Sequence, residues 1–293
     1  MNIMKKDKRT IALFVLPALF IFTVFGLGPL LPPVFYSLFN YKNLKLGEFI
    51  GLQNYVKAFS DKSFAEALLN NLKVVGLQFL IGMPLSFLGA VLISAQGPKI
   101  RRFVKTASFL PSILSVTVIC MSWYMMLQPR WGVIESLMNI LGLGKYFQPW
   151  LSKPKSAFLV ITFTMIWQYI GYNMVLFFSG LKAIPEQYFE AATLDGASMF
   201  QQLIHITIPL MQETFKFMFV IMLTGSMGLF SHVKLMTNGS YTVKTAVYYI
   251  SQVGFNKLDF GYGYALTVIY TIITFLAVTI ISRVIAKTRL EYV

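Results

Sequence analysis

Ile184-Pro185-Glu186-Gln187-Tyr188-Phe189-Glu190-Ala191-Ala192-Thr193-Leu194-Asp195-Gly196-Ala197-Ser198 is a polar stretch set between two apolar runs. Ser156 to Leu181 before it and Phe217 to Ser231 after it carry no charged residue. A carboxylate at the centre of a bilayer costs about 2.5–3.5 kcal/mol on insertion scales, so Glu190 and Asp195 hold this segment in water or against another protein. Pro185 suits the first turn of a helix, where its missing N–H is harmless, and Glu186 sits near the positive end of the helix dipole. About two turns follow. Asp195-Gly196 then breaks the run, and Ser198 caps a second piece over Met199 to Ile206 before Thr207-Ile208-Pro209 leads into the next apolar run. The expectation is helix, turn, helix outside the bilayer. Ala191 and Ala192 keep one face thin, and the acidic edge suits a groove bearing basic residues.

Outward from this segment the chain reads as membrane protein. It has 293 residues, is 56% hydrophobic and 12% charged, and has a mean hydropathy of +0.66, whereas soluble domains carry about a quarter charged residues. Charge-free windows fall at Thr10 to Tyr41, Val74 to Pro98, Thr106 to Pro129, Ser156 to Leu181, Phe217 to Ser231 and Phe260 to Ser282. Most exceed the roughly 20 residues that cross the hydrocarbon. The fifth is short, and Ile206 to Lys216 extends it, with Pro209 near its start and Glu213 and Lys216 one turn apart. That spacing predicts a local ion pair. Six transmembrane helices in an all-α membrane protein are therefore expected, as one domain over residues 1–293.

Lys5, Lys6, Lys8 and Arg9 precede the first window, Lys99, Arg101, Arg102 and Lys105 follow the second, and Arg283, Lys287 and Arg289 follow the sixth. These clusters share one side of the membrane, and the positive-inside bias makes it the cytoplasm, with both termini there. Lys42, Lys45, Lys57, Lys62, Arg130, Lys145, Lys153 and Lys155 fall in the opposite loops, spread over longer segments. Those loops, Lys42 to Lys73 and Arg130 to Lys155, read as irregular with short helices. The net charge of +14 is divided between both faces and forms no basic stripe, which argues against nucleic acid as a partner. The first window runs too far, and lacks the small-residue cleavage pattern, to be a signal peptide. Cys120 has no second cysteine, and His205 and His232 fall on opposite sides, so no metal site is expected. Gly142-Leu143-Gly144-Lys145 lacks the glycine spacing and the following Ser or Thr of a phosphate-binding loop, so the chain is not expected to hydrolyse ATP itself or to be an enzyme.

Glu190-Ala191-Ala192, Gly196, Ile206 and Pro209, at their mutual spacing, resemble the EAA loop of ABC importer permeases; Ile208 stands where that family usually has Leu. The resemblance covers essentially the whole chain and points to the carbohydrate branch, the permeases for maltose, lactose, raffinose and other oligosaccharides. Its further pieces are Leu16-Pro17-Ala18, Gly51-Leu52-Gln53-Asn54-Tyr55, Phe109-Leu110-Pro111, Gly180-Leu181-Lys182-Ala183-Ile184-Pro185, Asp195-Gly196-Ala197-Ser198, Thr237-Asn238-Gly239 and Phe260-Gly261-Tyr262. After Thr237-Asn238-Gly239 the chain departs, running Ser240-Tyr241-Thr242-Val243-Lys244 where many relatives have Gly-Pro and then Ser-Thr. The resemblance implies a type I importer permease fold with a cytoplasmic coupling helix between spans four and five. Residues 182–209 form that coupling loop, in which Glu190, Ala191, Ala192, Asp195, Gly196, Ala197, Ile206 and Pro209 dock an ATPase. It also implies a second homologous permease completing a heterodimer, two ATPase subunits that use ATP and magnesium, and an extracytoplasmic solute-binding protein. The location implied is the bacterial cytoplasmic membrane.

For the solute, the run Trp167-Gln168-Tyr169-Ile170-Gly171-Tyr172-Asn173 is unusual within lipid, because amide side chains there need partners or water. Trp167 and Tyr172 can pack on pyranose faces, and Gln168 and Asn173 can pair with hydroxyls. The family places substrate contacts on its fourth and fifth spans, which adds Met222, Thr224, Ser226 and Phe230. The competing reading is helix packing, with amides bonded to neighbouring helices. A glycerol phosphate is the alternative substrate, but it calls for a cation in the pore, where only Lys216 comes near. A secondary transporter would carry ionisable groups within its spans or broken helices in related halves, and a membrane enzyme would gather its acids at one interface. The sequence shows neither pattern.

Overall fold

The computed structural model describes residues 8–240 and 243–287. Lys5, Lys6, Tyr241, Thr242 and Arg289, all invoked above, lie outside the described residues. Among the described residues, five helices are long and apolar enough to cross a membrane: Leu13–Tyr36, Lys62–Ser94, Pro154–Lys182, Gln212–Thr237 and Phe260–Arg283. Pro98–Ile113 and Val116–Met126, bent by 93° to each other, pass the same length and hydropathy test only as a pair, and counted as one span they make six. In chain order these are spans 1 to 6, the bent pair being span 3.

The bend corrects the expectation of a continuous helix over Thr106 to Pro129. Pro111 removes a backbone donor from the last turn of Pro98–Ile113. Leu114 then turns extended, with ψ at 145°, and Ser115 starts a new helix by accepting the Thr117 N–H at 3.3 Å. Span 5 is interrupted as well. Its helix Gln212–Met227 stops before Gly228, and Ser231–Thr237 resumes it. Span 2 stays continuous but contains a π turn over Gln78–Gly82.

The described residues gather in two compact units, one from residues 8–64 and 249–272, the other from residues 65–240, 243–248 and 273–287. In the first unit a hairpin, Phe39–Lys42 with Lys45–Phe49, follows span 1. It is a strand element in a segment read as loop and short helices, and Asn43 and Leu44 turn it with φ of 49° and 61°, the left-handed pair a two-residue hairpin requires. Helix Gln53–Phe59 packs behind it, where the Asn54 amide donates to Ser37 O at 2.8 Å and Phe39 O at 3.2 Å. Asp61 closes this unit. Its Oδ1 accepts the N–H groups of Ser63 and Phe64, capping the helix that opens span 2, and its Oδ2 accepts both Tyr249 and Tyr262 hydroxyls at 2.6 Å.

In the second unit apolar burial falls into two clusters. One gathers Val74, Cys120, Ala157, Ile161, Met165 and Val233; the other gathers Phe87, Met174, Phe177, Met211, Met218 and Met222. Lipid offers helices no hydrophobic drive to associate, so close packing must hold them. Phe87, Phe177 and Phe215 form an aromatic trio with centroids 5.0–5.6 Å apart. At Gly171 a Cβ would stand 1.8 Å from the backbone oxygen of Ser108, so only glycine lets spans 3 and 4 meet there.

Candidate functional site

Two places in the second unit carry chemistry: the segment between spans 4 and 5, and a cavity among spans 2 to 5. The segment folds as helix, turn, helix. Gln187–Leu194 forms the first helix, and Gly196 ends it at φ 79°. Gly196 N–H donates to Thr193 O at 3.1 Å and Ala197 N–H to Ala192 O at 2.9 Å, the double bond that closes a helix through a left-handed residue. Ser198 starts Met199–Gln202 with a reciprocal cap: its N–H donates to Gln201 Oε1 at 2.7 Å, and its Oγ accepts the Gln201 N–H. Gln202 then ties the two helices, donating to Thr193 Oγ1 at 3.1 Å and Ala197 O at 3.2 Å. The chain continues through a π turn, Leu203–Thr207, and Ile208–Leu210 into span 5.

Glu190, Ala191, Asp195 and Gly196 are exposed; Ala192, Ala197, Ile206 and Pro209 are half-buried. Phe189 and Leu203 anchor the segment to the second apolar cluster. The outer face is less thin and less acidic than its sequence suggests. Leu194 is 89% exposed and Phe200 69%, so two large apolar side chains stand beside the carboxylates. A groove of about 1240 Å³ runs between this segment and the ends of spans 2 and 4, with Val91, Leu92, Lys182, Phe189 and Phe200 among its walls. The Lys216 ammonium pairs with Glu213 at 2.7 Å at the start of span 5.

The cavity holds about 350 Å³. Met165 of one apolar cluster and Met222 of the other line it, together with Tyr169, Tyr172, Asn173, Ser226, Phe230 and His232. Both helix breaks meet it, span 3 through Val116 and span 5 through Gly228 to Phe230. Ser226 Oγ and Gln78 Oε1 are buried on its wall without a hydrogen-bond partner among the described residues.

Of the eight residues proposed for substrate, five border this cavity: Tyr172, Asn173, Met222, Ser226 and Phe230. Trp167 lies apart, 36% exposed and edge-on to Trp123 at 5.5 Å. Thr224 is exposed and donates to Val220 O at 2.8 Å. Gln168 is 1% exposed and sits behind the wall. Its Oε1 meets His232 Nε2 at 3.0 Å, and its Nε2 points to Leu114 O at 3.5 Å, a carbonyl freed by the break in span 3. The sequence reading missed Gln78, His232 and Asn71. Their signal was there, since each is a polar side chain in or beside an apolar run, but only the packing shows which of them face one space.

Residues 82–290 match the family described as binding-protein-dependent transport system inner membrane component. The chain is 33% identical to the probable ABC transporter permease protein YurN of Bacillus subtilis, over 95% of this chain and 96% of that protein. It is 29% identical to the arabinooligosaccharides transport system permease protein AraP of the same organism, over 92% and 86% of the two chains. A chain in the crystal structure of a bacterial ABC transporter that imports the acidic polysaccharide alginate superposes with a TM-score of 0.85. Coverage is 97% of both chains at 22% identity.

Proposed function

The chain belongs to the binding-protein-dependent transport system inner membrane components, and from that premise we propose that it carries a saccharide, an oligosaccharide above all, across the membrane as one permease of a heterodimer. Membership makes it a multi-span permease subunit of an ABC importer and not an enzyme. The observation that carries the saccharide reading is the cavity among spans 2 to 5. It is a largely apolar space with aromatic walls at Tyr169, Tyr172 and Phe230 and convergent polar groups at Gln78, Asn173, Ser226 and His232. Flat apolar faces with scattered hydroxyls are what such a wall complements. The relative that imports arabinooligosaccharides agrees.

ATP binding and hydrolysis, with magnesium, take place in two partner ATPase subunits. The segment 182–209 docks one of them, through Glu190, Ala191, Ala192, Asp195, Gly196 and Ala197, with Ile206 and Pro209 holding its return into span 5. The exposed Leu194 and Phe200 supply apolar contact beside the carboxylates. Conformational work requires that the ATPase hold this segment differently in two states. Residues 1–293 act as one transmembrane domain. The density of basic residues beside span ends supports a cytoplasmic coupling segment and cytoplasmic termini in a bacterial cell, with a solute-binding protein on the other side.

The test is the complex reconstituted with its partner permease, ATPase and binding protein, with ATP hydrolysis measured against a panel of lactose, raffinose, maltotriose and arabinotriose. Stimulation by at least one of these is expected. No stimulation by any neutral or acidic saccharide, with stimulation by an unrelated solute, would remove the saccharide reading.

A further inference from the structure

The cavity's polar groups differ in which partners they accept. His232 lines the cavity while its Nε2 meets Gln168 Oε1 at 3.0 Å. An amide oxygen can only accept, so Nε2 must carry the imidazole proton. The assignment of that oxygen follows from the other end of the amide, whose Nε2 faces the freed Leu114 carbonyl at 3.5 Å; the reverse orientation would set two acceptors against each other. With Nε2 protonated, neutral His232 is left with Nδ1 as its acceptor nitrogen. Gln78 Oε1, also an acceptor, and Ser226 Oγ are buried at the same cavity without a hydrogen-bond partner among the described residues. Each buried unpaired group costs about 1–3 kcal/mol. A ligand that donates hydrogen bonds removes that cost.

Among the described residues, no Asp, Glu, Lys or Arg borders the cavity. A carboxylate or phosphate placed there would lose its water, meet acceptors and find no cation. The fold does not dictate this, because the superposable alginate importer handles an acidic polysaccharide. We propose that His232, held by Gln168 as the Nε2–H tautomer, is a specificity-determining residue that accepts a substrate hydroxyl and restricts the cavity to uncharged polyhydroxy solutes. The inference rests on the saccharide reading above and deepens it.

The experiment uses the assembled permease and ATPase complex and matched probes. Lactose is compared with lactobionate, and maltotriose with trigalacturonate, by equilibrium binding and by the KM and kcat of sugar-stimulated hydrolysis. The neutral member of whichever pair binds should do so at least tenfold more tightly. His232→Leu should raise KM at least fivefold with little change in kcat. His232→Asn, which restores an acceptor oxygen, should recover most of the loss. Gln168→Leu, which frees the tautomer without touching the ligand, should raise KM less than His232→Leu. Thermal midpoints of all variants separate loss of binding from loss of folding. Equal binding of acidic and neutral partners would overturn the proposal and leave the saccharide reading standing. So would His232→Leu and His232→Asn acting alike, or lowering only the thermal midpoint. If no saccharide of either charge binds, the saccharide reading falls and the proposal with it.

Discussion

Asn71 is a buried amide that bonds both the interruption of span 5 and the start of the helix Ala246–Ser251. Its Nδ2 donates to Ser226 O at 3.2 Å and Met227 O at 3.1 Å, and its Oδ1 accepts the Ala246 N–H at 2.7 Å. Thr245 Oγ1 donates to the next freed carbonyl, that of Leu229. Removing one partner of a buried polar group costs about 1–3 kcal/mol, so Asn71→Ala should lower the thermal midpoint of the purified complex. An unchanged midpoint would mean that water replaces the amide. Asp61, outside the spans, adds a pH-dependent tie. Burial alone would raise its pKa, but the hydroxyls of Tyr249 and Tyr262 and the N–H groups of Phe64 and Ser63 outweigh that and hold it below the ordinary 3.8. A carboxyl with a depressed folded pKa contributes stability in full above its unfolded value and loses it as pH falls through the folded one. The stability gap between the native chain and Asp61→Asn should therefore be constant from pH 5 to 8 by about the same measure and close in stronger acid. A gap that widens in acid would contradict the assignment. Neither role is legible in sequence. Asn71 is the second of two adjacent asparagines and Asp61 lies in a polar loop, and both matter through residues more than a hundred positions away.

At the scale of elements, the segment between spans 4 and 5 was the most legible part of the chain because its signals are local. Glycine at the stop and serine at the second cap each act within four residues and do so here, while Pro185 stands just before the N-cap Glu186 and not in the first turn. What escaped was its outer surface, since alanine and glutamate were read as the docking face while Leu194 and Phe200 stand further out. Gly196 has open space around it but a φ of 79°, so substitution there is opposed by the backbone alone. Left-handed geometry costs an ordinary L-residue about 1–2 kcal/mol, and Asp tolerates it better than most. Gly196→Val is thus the sharper probe than Gly196→Asp, and should loosen ATPase co-purification and reduce transport while leaving the spans inserted. Wild-type coupling in that variant would separate the turn from docking. Leu194→Ser makes the complementary case. It removes nothing from the permease's own core, so the thermal midpoint of the isolated chain should hold while ATPase binding weakens by about the 1.5–3 kcal/mol that a buried leucine contributes. The break in span 3 was illegible for the opposite reason. A proline within an apolar run can either kink a helix or be carried by it, and what decides here is a serine cap and a glutamine on another helix.

Across the whole molecule, hydropathy located the five helices that are long and apolar enough to cross, because lipid demands about 20 apolar residues each time, yet it could not say where polar groups inside them converge. Convergence depends on register between spans, which packing sets. Gly171 shows how tightly, because any side chain would be driven into the Ser108 backbone. Orientation is the property that sequence alone supports through charge, and it decides whether the segment 182–209 can meet an ATPase at all. The chain offers a clean way to measure it. Its single cysteine, Cys120, is buried at 0% exposure, so an impermeant maleimide should leave the native protein unlabelled in intact cells. Lys145→Cys lies in the loop between spans 3 and 4, and Lys99→Cys in the first turn of the helix Pro98–Ile113 that opens span 3; both positions are exposed. The first should label from outside the cell and the second only after the membrane is opened. The pattern follows from the density of positive charge beside span ends, not from its total. The reverse pattern would put the coupling segment outside the cell, beyond reach of any cytoplasmic motor.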